Sequence, residues 1–213
     1  MRRFFSLLLS LLFVISSVFP VFALTTTPTA DKSVLSALYE ADISTLREAI
    51  DKRIISCEDL TLYYLERINR YNKNYNCFIT VCKDAVDVAR ERDAALARGE
   101  NSGSLFGIPV VIKDNMNLTG YYTTNGHHLE DSEIADSDAK AVSLLIEQGA
   151  VIIGKTNMST DAQDARTSFS KIAGETKNAY NTLLSAGGSS GGTAAAVSLN
   201  FAAAGLGTDT NSS

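Results

Sequence analysis

Residues 187–192 read Gly-Gly-Ser-Ser-Gly-Gly and run directly into the alanine-rich stretch Thr193 to Leu199. Glycine permits backbone conformations and close approaches that side chains forbid, and alanine favours helix. The pattern therefore predicts a tight loop opening onto a helix, with two hydroxyls among backbone N–H groups. Taken alone, such a loop is equally a phosphate cradle or a flexible turn, although it lacks the GxxxxGK[ST] order of a P-loop. The wider segment Ser185–Ser213 holds six glycines and six serines, and places Ser189 and Ser213 24 positions apart.

Serine is a weak nucleophile until a neighbouring base takes its proton. Histidine is the usual base, but the chain has only His127 and His128, side by side. Lys113 follows the apolar run Ile108–Ile112. A lysine there is either a solvated strand-end residue or a partly buried amine. Burial disfavours the charged ammonium, and a neutral amine can act as a general base. A lysine-driven serine mechanism is one expectation from these residues.

The order of elements predicts an α/β domain. Lys32–Arg53 reads as helix with a break near Asp42–Ser44. Ser56 followed by Asp59 is a helix start signal, opening a helix with Leu60, Leu62, Tyr63, Leu65 and Ile68 that ends in the polar cluster Asn72–Asn76. Phe78–Val81 reads as a short strand and Lys83–Arg98 as an amphipathic helix. Ile108–Ile112 and Ala150–Ile153 are continuous apolar runs, expected as strands buried on both faces, with a helix at Ala139–Gln148 between them. Strand, helix, strand implies parallel pairing. Gly154 to Asn157 is expected to leave the second strand, and Ala202–Gly207 reads as a small-residue strand.

The first 23 residues form a different segment. Arg2 and Arg3 precede the apolar stretch Phe4–Val21, and Val21-Phe22-Ala23 fits a small-residue cleavage site. This is the layout of a secretory signal peptide, and a secreted or extracytoplasmic protein is expected. An uncleaved membrane anchor is the alternative, the run being borderline in length for spanning. Residues 24–31 read as a linker and 32–213 as the folded domain. Losing Arg2 and Arg3 from 19 basic residues leaves 17 against 24 acidic ones, a formal charge of −7. That disfavours nucleic acid and anionic membrane as partners. Three cysteines, Cys57, Cys77 and Cys82, leave at least one free thiol, and no Cys or His pair has zinc-ligand spacing. No metal or cofactor is expected.

Taken together, GIPVVIKDN, AVIIGKTNM, SAGGSSGGTAAAV and GLGTDTNSS resemble the amidase signature family in order and spacing, from about Ile43 to the last residue. The resemblance implies an α/β fold with a mixed central β-sheet flanked by helices, and a Ser–Ser–Lys triad hydrolysing a carbon–nitrogen amide bond. Lys113 corresponds to the base, Ser189 to the bridging serine and Ser213 to the nucleophile. The peptide bond before the bridging serine, Gly188–Ser189 here, is expected to be cis. The backbone of Thr210, Asn211, Ser212 and Ser213 corresponds to the oxyanion hole, with Ser190 and Asp209 as supporting hydrogen-bond partners. The substrate implied is a small-molecule or peptide amide, without a cofactor.

Two features depart from the family. Glycines commonly precede the nucleophile, where this chain has Asn211 and Ser212. Family members are also much longer, so the chain is expected to be the N-terminal part of the domain, truncated at the nucleophile. A polypeptide ending there would carry its terminal carboxylate on Ser213 and is expected to be inactive. Two other classes remain. Gly187-Gly188-Ser189-Ser190-Gly191 also satisfies the G-x-S-x-G of an α/β-hydrolase esterase, which requires a strand immediately before it, and Asn178–Ala186 does not read as one. A non-catalytic amidase-like remnant or exported binding protein is the other.

Overall fold

The computed structural model describes residues 28–209. The expected signal segment and Thr210–Ser213 lie outside the described residues.

The chain opens with α1 (Lys32–Ala37) and α2 (Ile43–Asp51). The expected break falls between them, and Asp42 is the N-cap of α2, its carboxylate accepting from Thr45 N at 2.7 Å. Helix α3 (Cys57–Tyr71) starts where its capping signal predicts. Ser56 Oγ accepts from Asp59 N at 2.9 Å. Burial works to raise Asp59, but hydrogen bonds from Ser56, Thr29 and Ala30 outweigh it and hold the carboxyl below its usual range. These contacts also tether the described end of the 24–31 segment.

Strand β1 (Phe78–Val81) and α4 (Ala85–Ala97) follow, then β2 (Pro109–Lys113), buried along its whole length. A two-residue ladder, β3 (Tyr122–Thr123) with β4 (Glu133–Ile134), lies in the excursion before α5 (Lys140–Glu147). Strand β5 spans Val151–Thr156. It runs past the expected end at Ile153, so Lys155 is a strand residue rather than part of an exit loop. A second short ladder, β6 (Phe169–Ser170) with β7 (Gly174–Glu175), precedes α6 (Gly191–Ser198) and β8 (Ala204–Leu206).

The main sheet has the order β1-β5-β2-β8. Strand β5 pairs antiparallel with β1 and parallel with β2, and β2 pairs parallel with β8. The sheet is thus mixed, and its β2-α5-β5 unit is parallel as the strand-helix-strand order implies. Helices α3 and α4 pack on each other and on the β2/β5 side, while α6 packs on β2, β5 and β8. Leu60, Tyr64, Ile108, Ile112, Ile153 and Phe201 are among the fully buried side chains of one continuous apolar core. All three cysteines are buried free thiols. Burial pushes Cys77 and Cys82 up to about 12, which leaves them unreactive.

Candidate active site

The C-terminal ends of β2 and β8 meet the glycine loop at one edge of the sheet, where open α/β sheets form their crevices. Lys113 is the last residue of β2 and is fully buried, as is Ser189. The lysine Nζ donates to Ser189 Oγ at 2.5 Å and to Thr208 Oγ1 at 2.7 Å. Among the described residues no carboxylate pairs with it. Desolvation pushes its pKa down from 10.5 to about 8, so a substantial neutral fraction exists near physiological pH. Of the two openings left by the sequence, the solvated strand end and the buried amine, the fold takes the second.

The glycine loop is held by contacts that a Cβ would destroy. At Gly188 a Cβ would clash with the carbonyl oxygens of Thr167 and Asp164, and at Gly192 with the backbone of Asn157. The Gly188–Ser189 peptide bond is cis. Ser168 Oγ donates to Gly187 O at 2.8 Å and accepts from Gly191 N at 2.7 Å, fixing both ends of the turn. Ser190 Oγ donates to Thr208 O at 3.0 Å and accepts from Thr208 N at 3.1 Å, joining the loop to the chain leaving β8. Asp209 is exposed, and its carboxylate meets no partner among the described residues.

Three contributors were not singled out in the sequence. Thr208 lies inside the GLGTDT segment, yet a single threonine after a strand carries no signal that it meets a lysine 95 positions away. Ser168 sits in a loop without periodicity. Asn157 gives its side-chain amide to Gly174 O at 2.9 Å and Thr176 Oγ1 at 3.0 Å. Its side chain is fully buried. Thr210, Asn211, Ser212 and Ser213 lie outside the described residues.

On the opposite face of β2, Asp114 and Lys155 form a fully buried ion pair at 3.5 Å. Asp114 Oδ2 accepts from Thr124 N at 3.0 Å and Thr124 Oγ1 at 2.5 Å. Lys155 Nζ donates to Tyr122 O at 2.5 Å and Thr123 Oγ1 at 3.1 Å. Burial lowers Lys155, with Asp114 pulling the other way, and it raises Asp114 against the opposing pull of Lys155 and Thr124.

No histidine takes part. His127 lies apart from Ser189, its Nε2 at 2.8 Å from Asp161 Oδ1 in a partly exposed pair. No strand leads into Gly187, only an isolated bridge between Lys177 and Ser185, so the elbow of an α/β-hydrolase is not formed.

A mixed α/β sheet carrying a glycine loop against a buried strand-end lysine is the N-terminal part of the amidase signature fold. The chain belongs to the amidase family, whose model matches residues 59–213. Among its relatives is a glutamyl-tRNA(Gln) amidotransferase subunit from Thermoanaerobacter pseudethanolicus, 38% identical over 177 residues, covering 83% of this chain and 36% of the relative. Its counterpart from Aromatoleum aromaticum is 41% identical with the same coverage. In solved structures, the peptide amidase of Stenotrophomonas maltophilia superposes with a TM-score of 0.73 at 34% identity, over 78% of this chain and 35% of that one. A fatty acid amide hydrolase reaches a TM-score of 0.77 at 28% identity, over 82% and 31%. The chain therefore spans about a third of the length of these relatives.

Proposed function

We propose that the protein hydrolyses a carbon–nitrogen amide bond through a serine acyl-enzyme, with Lys113 as base, Ser189 as relay and Ser213 as nucleophile. The observation that carries this reading is the 2.5 Å approach of Lys113 Nζ to Ser189 Oγ in a fully buried setting, with no carboxylate partner among the described residues. Neutral Lys113 accepts the Ser189 proton while Ser189 Oγ takes the proton of Ser213. Ser213 Oγ then bonds to the amide carbon, and the negative charge collects on the carbonyl oxygen. Backbone N–H groups of Thr210–Ser213 would receive it, each such donor contributing about 3–4 kcal/mol in comparable sites. As the C–N bond breaks, the proton returns through Ser189 to the departing amine. Water then cleaves the ester and releases the acid.

The chain path favours the same assignment. Thr208 is bound to both Lys113 and Ser190, so the residues that follow begin beside the amine. Five residues of extended chain reach at most about 17 Å, a span that permits Ser213 to approach Ser189. The substrate class is a small-molecule or peptide amide. The amidotransferase relatives raise assembly with other proteins as a second arrangement. The basic start and apolar stretch of residues 1–23 support export, which would separate this protein from tRNA.

The test is intact-mass labelling of the full-length protein with a fluorophosphonate, followed by turnover of simple amides. One adduct per chain, lost in Ser213→Ala, is expected. Labelling and turnover undiminished in Ser213→Ala would refute the assignment.

A further inference from the structure

Residues in register on parallel strands point to the same face, and successive residues to opposite faces. Lys155 is in register with Ile112, and Thr156 with Lys113. Lys155 and Asp114 therefore lie on one face of β2 and Lys113 on the other. A buried ion pair adds little stability over apolar side chains of the same size. Its place here is one residue from the amine that the proposed mechanism needs uncharged.

We propose that Lys155 is a positioning residue for the reaction: by neutralising Asp114, it keeps that carboxylate from holding the neighbouring Lys113 in its charged form. The inference rests on the reading of Lys113 as the base. The pair is electrically neutral whichever partner holds the proton, so it imposes no net charge on Lys113. Burial is then left as the cause that lowers Lys113.

Among the described residues, the other groups around Lys113 do not supply a competing charge. Ser189, Thr208 and, through Thr208, Asn115 and Ser190 are uncharged. Helix α6 has no ionisable side chain, and Asp209 is exposed to solvent. On α3, Asp59 is engaged with Thr29 and Ala30, and Arg67 with the carbonyls of Leu199 and Asn200. On α4, Asp93 caps the start of α3. Facing Lys155, the Cys82 thiol is neutral, and Asp84 is bonded to the Tyr121 hydroxyl.

Across the β2 backbone, side chains on successive residues place the Lys113 and Asp114 charges roughly 10 Å apart. At an effective dielectric near 20, one uncompensated charge at that range moves a pKa by about one unit. The signs oppose each other. Lys155→Met leaves Asp114 negative and should raise Lys113. Asp114→Asn leaves Lys155 positive and should lower it. The double variant should return Lys113 close to its starting value.

The experiment is an NMR titration of lysine 13Cε signals in the full-length protein, with Lys113→Met assigning the resonance, run beside the pH dependence of fluorophosphonate labelling. Expected are opposite displacements of about one pH unit in the single variants, in both readouts, and cancellation in the double variant. Shifts in the same direction, or no shift in folded Lys155→Met and Asp114→Asn, overturn the proposal. If Lys155→Met does not fold, Asp114→Asn decides by the direction of its shift, and loss of fold in both would make the pair a stability element and overturn it too. Absence of labelling in the unsubstituted protein would count against the mechanism, while the NMR titration still reads the charge coupling.

Discussion

Two lysines at the ends of adjacent strands, Lys113 and Lys155, are both fully buried and yet sit in opposite chemical situations. Lys155 has a carboxylate at 3.5 Å and two oxygen acceptors. Lys113 has two hydroxyls and no carboxylate among the described residues. Desolvation pushes both pKa values down, but at Lys155 the Asp114 charge pulls against it. Burial alone thus does not distinguish a structural lysine from a reactive one. The distinction lies in what faces the amine, and a neutral hydroxyl leaves the proton free to move where a carboxylate retains it.

The contrast can be broken most sharply by replacing each amine with an isosteric apolar chain. Lys113→Met should reduce fluorophosphonate labelling about a thousandfold or more, because it removes the proposed base. It should leave denaturant stability at neutral pH unchanged or higher, since it removes a desolvated cation. Equal labelling rates would break the comparison. Lys155→Met should do the reverse in stability, costing about 3–5 kcal/mol by leaving Asp114 buried without its counter-charge. Asp114→Asn combined with Lys155→Met should recover most of that loss in urea unfolding.

A pH series sharpens the same point. Lys113 has a folded pKa of about 8 against an ordinary value of 10.5. Between those values the unfolded chain binds more protons, so stability rises with pH across that window. The gain attributable to Lys113 is on the order of 3 kcal/mol at most, and it should be absent from Lys113→Met when unfolding is followed from about pH 7.5 to about pH 10.5. A slope identical in both proteins would mean that the amine is solvated. The smallest effect expected is at the rim. Ser190→Ala removes two hydrogen bonds to the Thr208 backbone and should cost about 1–2 kcal/mol by thermal or urea unfolding. Thr208→Val removes an acceptor of Lys113 and should slow labelling about tenfold.

The elements with strong local signals were legible in the sequence. The capping pair Ser56 and Asp59 marks the start of α3, and the apolar runs mark β2 and β5, because burial on both faces leaves a continuous hydrophobic stretch. The end of β5 was not legible. Gly154-Lys155-Thr156 looks like an exit loop, since a charged residue in a fully buried strand is expected only with a partner, and Asp114 lies 41 positions earlier. The two-residue ladders β3/β4 and β6/β7 were also missed, being too short to show a period. For the site, Lys113 and Ser189 are marked by the resemblance to the amidase signature family, whereas Ser168 and Asn157 are not. Ser168 bonds to the Gly187 carbonyl of the glycine loop and Asn157 to the Gly174 carbonyl of β7, contacts that exist only once the chain is folded.

Local pattern was enough to establish the helix starts, the buried strands, the glycine loop and the family to which the chain belongs. Each of these depends on neighbours a few positions apart, or on motifs kept in order. Tertiary structure alone settled that the amine of Lys113 lies inside the protein, meets Ser189 from 76 positions away, and is free of any carboxylate partner among the described residues. The same fold gave Lys155 such a partner. Desolvation and charge pairing are set by the distances between remote side chains, and no periodicity along the chain encodes them.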